Sequence, residues 1–501
     1  MDSSVQILFR NALHHIQLKE FDKAQTLINK ALASSPKEPD ILRLMSVNLA
    51  LQFKFEDALK AIEEVIVLTP NNGLAHSNRG NILKELHRHE EALESFDRAI
   101  GLLPEYAEAY SNKGNALQEL HRFEESLSWY DKAIKLKPNY AEAYSNKGNA
   151  LEWLRRHEEA MENFDKAIST NPQYIDSYWH KGLSQLASGN YEEGWKNYEA
   201  RWSKAHPVQF QYSNIPRLQS VQQVSGKNIL IWAEQGLGDT FQFCRYIKFL
   251  AEAGANITFA IPRALITTLQ PLRAYCTLVE STEVSSDRFD YQSPLLSLPL
   301  VFGTTLDTVP DAVPYLKANP EKINYFASFM RQDKALRVGL VWNGGFRADH
   351  PELWDTNKRR NIDFELIAKL KDILGVDFYS LQKGDPAEAE LRNRQAELWP
   401  TITNMASHLN DFSDTAALIS NLDLIISVDT STAHLAGALG RPVWILNRYD
   451  SCWRWLRGKT DSPWYPTAKI YQQDLPGNWV NPISQVSADL AKLSNHFCRT
   501  I

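Results

Sequence analysis

Two loops, far apart in the chain, hold the residue types that phosphate binding and proton transfer need. The first reads Glu234-Gln235-Gly236-Leu237-Gly238-Asp239-Thr240. Gly236 and Gly238 carry no side chain, so backbone amides there can approach a ligand closely. The amphipathic segment that follows predicts a helix whose positive end points into the same space. Asp239 at that turn is placed to take a proton from a hydroxyl. Aspartate also caps helices often, and a lone Gly-x-Gly-Asp does not separate the two roles. The second loop reads Ser427-Val428-Asp429-Thr430-Ser431-Thr432-Ala433-His434. Its hydroxyls and the free amides of a helix start make a diphosphate site, with His434 within reach of a phosphate. The plainer reading of His434 is a satisfied core histidine.

Further residues lie at other strand ends. Gln382 and Lys383 end one strand, and Lys383 either neutralises a leaving diphosphate or is a solvated turn lysine. Asn343, Gly344 and Gly345 follow another strand and are expected to close on the same ligand. The basic cluster Lys358, Arg359 and Arg360 either reaches its phosphates or is plain surface. Trp453, Trp455 and Trp464 lie close to Arg454, Arg457, Tyr465 and Pro466. These rings either stack on sugar or base, or pack the C-terminal segment. No carboxylates cluster with metal-site spacing, so no metal is expected.

Alternating short strands and helices must position these loops. Apolar runs at 228–233, 256–261, 337–345, 377–382, 423–429 and 442–447 predict buried strands. Amphipathic stretches between them, such as FQFCRYIKFLAEAG, FELIAKLKDIL and TSTAHLAGALG, predict helices. Such alternation builds parallel sheets, cut here into two α/β domains at 226–331 and 332–501.

Before residue 205 the grammar differs. Proline returns every 34 residues, at Pro36, Pro70, Pro104, Pro138 and Pro172. Ala24, Ala58, Ala92, Ser126 and Ala160 keep the same step, as do Ala31, Val65, Ala99, Ala133 and Ala167, and Gly80, Gly114, Gly148 and Gly182. This period, with small residues where two helices touch, is the signature of tetratricopeptide repeats. About six helix pairs over residues 1–204 are expected, then a linker at 205–225. The aromatic run NYEEGWKNYEARW is expected to meet the following domain. Asn78, Asn112 and Asn146 recur at one position, and Asn81, Asn115 and Asn149 one turn later. Asparagine is a poor helix-interior residue, so six of them need a reason. Either they form an amide ladder for the backbone of an extended peptide, or they bond neighbouring turns.

Composition excludes several classes. The 501 residues carry a net charge of -6, which gives no electrostatic argument for nucleic acid or an anionic membrane. Four scattered cysteines form no CxxC pair, which suits a reducing compartment. No apolar window is long enough to cross a membrane, and the N-terminal residues show no secretory signal. The expectation is a cytoplasmic protein.

The array resembles the superhelical repeats of O-GlcNAc transferase, which carry such an asparagine ladder. WAEQGLGDTFQFCRY, LISNLDLIISVDTSTAHLAGALGRPVW, WRWL and DSPWYPT are similar to bacterial proteins that join such repeats to a glycosyltransferase family 9 domain, relatives of the heptosyltransferases. The resemblance covers about residues 226–475. It implies an α-solenoid followed by a GT-B module of two Rossmann-like domains, and a metal-independent transferase. Asp239 then matches the general base. The family's nucleotide-site segment matches Asp429, Thr430 and His434. Together with the strand-end and helix-start residues above, this leads the donor to be expected at Gly236, Gly238, Asn343, Gln382, Lys383, Asp429, Thr430, Ser431, Thr432 and His434. Repeat-bearing relatives include flagellin glycosyltransferases, so a protein acceptor in the array is expected, its hydroxyl approaching Asp239. No cofactor is implied beyond the nucleotide sugar, which is CMP-, ADP-, UDP- or GDP-linked. The alternatives are a glycan or lipopolysaccharide-type heptosyltransferase, and a non-catalytic adaptor with a decayed transferase domain. Self-association of the array stays open.

Overall fold

The computed structural model describes residues 3–204, 209–284, 288–331, 334–345 and 354–500. The chain divides into two compact units, Met1–Lys181 and Gly182–Ile501.

The first unit is built of helix pairs. They are Ser3–Gln17 with Phe21–Ser34, Pro39–Leu51 with Phe55–Leu68, Gly73–Glu85 with His89–Leu102, Ala107–Glu119 with Phe123–Leu136, and Ala141–Trp153 with His157–Thr170. The helix Ile175–Ala187 spans the division, and Tyr191–Tyr198 lies in the second unit. The sequence registers now have physical causes. A Cβ built on Gly80, Gly114 or Gly148 would stand 2.6, 2.6 or 2.5 Å from the ring of Phe96, Tyr130 or Phe164. Glycine is there so that the aromatic of the partner helix can lie on the backbone. Ala24, Ala58, Ala92, Ser126 and Ala160 are wholly buried where the two helices touch. Another register, not read from the sequence, sits in the turn inside each pair. Lys19, Phe53, His87, His121 and Arg155 all have φ near +60°, and Gly189 takes that place next.

The second unit holds two parallel sheets. Strands β1 (Asn228–Trp232), β2 (Asn256–Ile261), β3 (Thr277–Glu280) and β4 (Tyr291–Pro294) form the first, in the order β3-β2-β1-β4. Strands β5 (Leu336–Val341), β6 (Val376–Ser380), β7 (Thr403–Asn404), β8 (Leu424–Val428), β9 (Val443–Asn447) and β10 (Ala468–Gln472) form the second, in the order β10-β9-β8-β5-β6-β7. Read from its other edge, this is the 3-2-1-4-5-6 order of dinucleotide-binding domains. Such a sheet opens a crevice beyond the carboxyl ends of its central strands, here β5 and β8. In the first sheet the equivalent place lies beyond β1 and β4. β8 is buried along its length, as a central parallel strand covered on both faces must be. Trp342, Phe364, Phe378 and Trp399 fill the core of the second sheet, closed by Ile483, Val486 and Leu490 of the helix Val480–Thr500. The expected class, a repeat solenoid followed by α/β sheets, is the observed one. No helix of the described residues is long and apolar enough to cross a membrane.

Three local expectations need correction. The described part of the expected linker is packed: Ile215, Leu218 and Val224 are buried, and the Leu218 amide donates to the Gln292 carbonyl at 2.8 Å, beside β4. The helix expected over FQFCRYIKFLAEAG is two helices, Leu237–Phe243 and Tyr246–Glu252. FELIAKLKDIL gives one helical turn, Phe364–Ile367, continued as 3-10 helix.

Candidate active site

The short helix Leu237–Phe243 starts from Gly236 directly after β1. Asp239 lies in its first turn and reaches back, its Oδ2 accepting from the Gly236 amide at 2.9 Å. The capping reading is therefore real, with Gly236 and not Asp239 at the cap position itself. Gly238 has a separate reason. A Cβ there would stand 2.8 Å from Cδ2 of His434 and 3.3 Å from the Cα of Ser431. The two sequence loops thus meet, backbone against helix start, at the carboxyl ends of the two sheets.

On the facing side, Thr430 opens the helix Ser431–Ala438 without a side-chain cap of its own. The Ser427 hydroxyl instead donates to the Val428 carbonyl at 2.7 Å and lies 3.0 Å from Thr430 Oγ1. His434 is buried, stacked on Trp455 at 5.1 Å between centroids. Its Nδ1 lies 3.0 Å from the Tyr465 hydroxyl and its Nε2 3.7 Å from Asp429 Oδ1. His434 is thus a core residue with a neighbour at each ring nitrogen. Burial pushes the Asp429 carboxyl up, but His434, Arg448 and Arg360 together hold it well below the usual carboxylate range. Arg360 donates to the Asp429 carbonyl at 3.0 Å, and its guanidinium lies over Gly344 where a Cβ would collide.

The other expected residues divide. The Gly344 amide donates to Asn361 Oδ1 at 2.9 Å, while the buried Asn343 Oδ1 has no hydrogen-bond partner among the described residues. Gln382 uses its side chain on the backbone: Oε1 accepts from the Asn343 amide at 3.1 Å and Nε2 donates to the Asn343 carbonyl at 3.2 Å. It splices the ends of β5 and β6. Lys383 Nζ donates to the Ala406 carbonyl at 2.8 Å, beside β7. Arg359 pairs with Asp450 at 3.2 Å, and Lys358 is exposed. The three tryptophans are core. Trp455 and Trp464 are fully buried, Trp453 lies against Trp195, and Trp464 Nε1 donates to the Tyr191 hydroxyl at 2.9 Å. Ring stacking on a sugar is therefore not their role.

The partner of Arg454 was not foreseen, and Glu234 and Tyr198 were given no role. Arg454 is buried, with Nη2 2.5 Å from Asp239 Oδ1. Burial works against its charge, yet Asp239, Cys452 and Tyr198 hold the guanidinium well above its ordinary value. An arginine between two tryptophans is itself a sign of a buried cation that needs an acid. Glu234 is fully buried and accepts from the Leu295 and Leu296 amides at 3.0 and 3.1 Å and from Arg201 at 3.2 Å. Burial pushes it up to about 7, against the pull of Arg201. Its carboxylate therefore fills the first sheet's own crevice, beyond β1 and β4. Tyr198 completes this wall, its hydroxyl accepting from Gln235 Nε2 at 3.0 Å.

In the first unit the asparagines share a stripe, half-buried. Asn146 Nδ2 donates to Asn115 Oδ1 at 2.9 Å, which also accepts from the Tyr130 hydroxyl at 2.7 Å. Asn149 Nδ2 lies 3.3 Å from His180, which stands at the ladder position of the next repeat. Among the described residues the side-chain amides of Asn78, Asn81 and Asn112 make no hydrogen bond. The rungs thus divide: some bond their neighbours, as the plainer reading expects, and some are open.

Comparison with known proteins agrees with these parts. Residues 107–140 and 141–174 match the tetratricopeptide repeat family, and 80–121 a further repeat family. Residues 366–470 match glycosyltransferase family 9 (heptosyltransferase). The protein FlbA of Caulobacter vibrioides is 27% identical over 323 residues, which is 58% of this chain and 51% of FlbA. The chain thus spans about half the length of that curated relative. Among solved structures, MamA is 23% identical and covers 34% of this chain and 96% of its own, at a TM-score of 0.30. A thermophilic repeat protein of Thermus thermophilus is 20% identical, covering 36% of this chain and 99% of its own, at a TM-score of 0.34.

Proposed function

We propose that this chain, tetratricopeptide repeats followed by a glycosyltransferase family 9 (heptosyltransferase) domain, is a cytoplasmic protein O-glycosyltransferase. It moves a sugar from a nucleotide donor to a serine or threonine of a protein held by the array. The observation that carries the reading is the meeting of Gly238 with His434 and Ser431, which sets the Asp239 loop against a helix start without a side-chain cap at a Rossmann-type sheet edge.

In this reading the diphosphate or monophosphate of the donor lies on the amides of Ser431, Thr432 and Ala433, with Thr430 and Ser431 supplying hydroxyls. Arg360 and Arg448 give the positive field that stabilises the leaving phosphate. Asn343 offers its unspent oxygen and Gly344 its close backbone to the nucleoside. Gln382 and Lys383 act behind this layer, by fixing the ends of β6 and β7. The acceptor hydroxyl then approaches Asp239, which takes its proton as the new glycosidic bond forms and the bond to phosphate breaks. The open amides of Asn78, Asn81 and Asn112 support recognition of an extended acceptor by its backbone. A flagellin is the first acceptor to try. A saccharide acceptor is the alternative, and it predicts transfer that does not need the array.

Thermal melts of the purified protein with CMP, UDP, GDP and ADP test the donor site. A ligand at 100 times its Kd adds about 2.7 kcal/mol to what it binds. One nucleotide is expected to shift the melt, and Asp239→Asn is expected to keep that shift while losing transfer. No shift with any nucleotide would turn the reading to a non-catalytic adaptor.

A further inference from the structure

Asp239 is held from two directions. Its Oδ2 accepts from the Gly236 amide, within the first sheet's own loop, and its Oδ1 faces Arg454, which follows β9 of the other sheet. A carboxylate tied only by the first bond remains free to turn about its side-chain bonds. The second contact removes that freedom, and it exists only when both halves are in register.

Arg454 is itself enclosed: its Nε and Nη2 make no hydrogen bond among the described residues, and its Asp239 contact is an ion pair. Its guanidinium lies 4.2 Å from the Trp453 ring centroid and 6.0 Å from that of Phe243. Nη1 donates to Cys452 Sγ at 3.0 Å, and the thiol, pushed up by burial, is no rival anion. Among the described residues Asp239 is its one carboxylate partner. Two residues later Leu456 has φ 55° and ψ 156°, a region that side chains other than glycine rarely adopt. Such strain persists where the surroundings over-determine it, and it clusters at functional sites. The turn is tied down by the Arg457 amide, which donates to the Ala187 carbonyl at 2.8 Å. A buried ion pair adds little net stability compared with apolar packing, so stability alone does not account for this arrangement.

We propose that Arg454 is the positioning residue for Asp239, fixing its carboxylate across the two halves so that the acceptor hydroxyl meets it at one angle. This rests on Asp239 being the base. The test compares wild type, Arg454→Gln, Arg454→Lys, Asp239→Asn and the double variant Asp239→Asn/Arg454→Gln. Nucleotide release from UDP-, GDP-, ADP- and CMP-linked sugars is followed with flagellin as acceptor. Misplacement of a catalytic group by an ångström costs about 100-fold, so Arg454→Gln is expected to lose about that in kcat with donor KM held within about threefold. Arg454→Lys should recover part of it, and the double variant should be no slower than Asp239→Asn, as for residues acting as one unit. Arg454→Gln at near wild-type kcat, or losses that multiply in the double variant, overturn the proposal. If neither Arg454 variant folds, the pair is structural and the proposal fails. A wild type that turns over none of the donors overturns the proposed function and this inference with it.

Discussion

Cutting the chain at its compositional boundary should unfold the second unit, whereas cutting inside the helix Ile175–Ala187 should leave it folded. The fragments to compare are 182–501 and 205–501, since the second compact unit begins at Gly182. The shorter fragment lacks Tyr191, Trp195, Tyr198 and Arg201, all buried. Trp195 Nε1 donates to the Thr304 carbonyl at 3.0 Å, and its ring meets Trp453 at 5.2 Å and Phe243 at 6.4 Å. Removing it uncovers Trp453 and Trp464 on one face each. At about 100 Å² each and about 25 cal/mol per Å², that costs about 5 kcal/mol. The loss of Arg201 also takes a hydrogen-bond donor from the buried Glu234 carboxyl, which costs about 1–3 kcal/mol more. The total, about 6–8 kcal/mol, takes much of the 5–15 kcal/mol that a domain has. Solubility, circular dichroism and thermal melts of both fragments give the answer. A 205–501 fragment that melts cooperatively within about 5 °C of 182–501 would refute the reasoning, since about 1 kcal/mol moves Tm by 2–4 °C in a domain of this size.

Three other outcomes are expected. Glu234 lies at about 7 in the fold against 4.5 ordinarily, so the fold favours its protonated form. Its contribution to stability is thus greatest below about 4.5 and is lost as pH rises through about 7, a fall on the order of 3 kcal/mol. Glu234→Gln should flatten the pH dependence of the melt between pH 5 and 8, and parallel curves for variant and wild type would contradict this. Gly238→Ala pushes a methyl to 2.8 Å from a histidine wedged between Trp455 and Tyr465. It should cost about 1–3 kcal/mol and abolish the nucleotide-induced shift; a normal melt and a normal shift would refute the closeness of the two loops. Asn146→Ala should destabilise the array by about 1 kcal/mol because Asn115 loses a donor, whereas Asn112→Ala should leave stability alone and raise the acceptor KM. Equal effects of the two variants on the melt would refute the division of the ladder into bonded and open rungs.

The array was legible because each repeat restates its packing, so period alone placed small residues at helix contacts. The six buried strands of highest apolar content were legible too. β3, β4, β7 and β10 escaped, being short or rich in polar and proline residues that only their neighbours bury. The two loops were found because glycine, hydroxyls and acids at a strand end have few other uses. Gln382 showed the limit of that logic: its place on the edge was right, yet its amide is used up on backbone groups of another strand. The roles of Arg454 and Glu234 lay beyond reach for one reason. A buried charge is explained by its partner, and their partners, Asp239 and Arg201, come from distant segments.

The left-handed turns inside the helix pairs have a consequence for anyone who would rebuild the array. Five of them place lysine, phenylalanine, histidine or arginine where the backbone suits glycine or asparagine, and only Gly189 fits without strain. A side chain in that conformation costs about 1–2 kcal/mol, which exceeds the entropy glycine adds to the unfolded chain. Each turn is thus a tuning screw on a modular ruler, one that a consensus redesign can tighten without touching a rung.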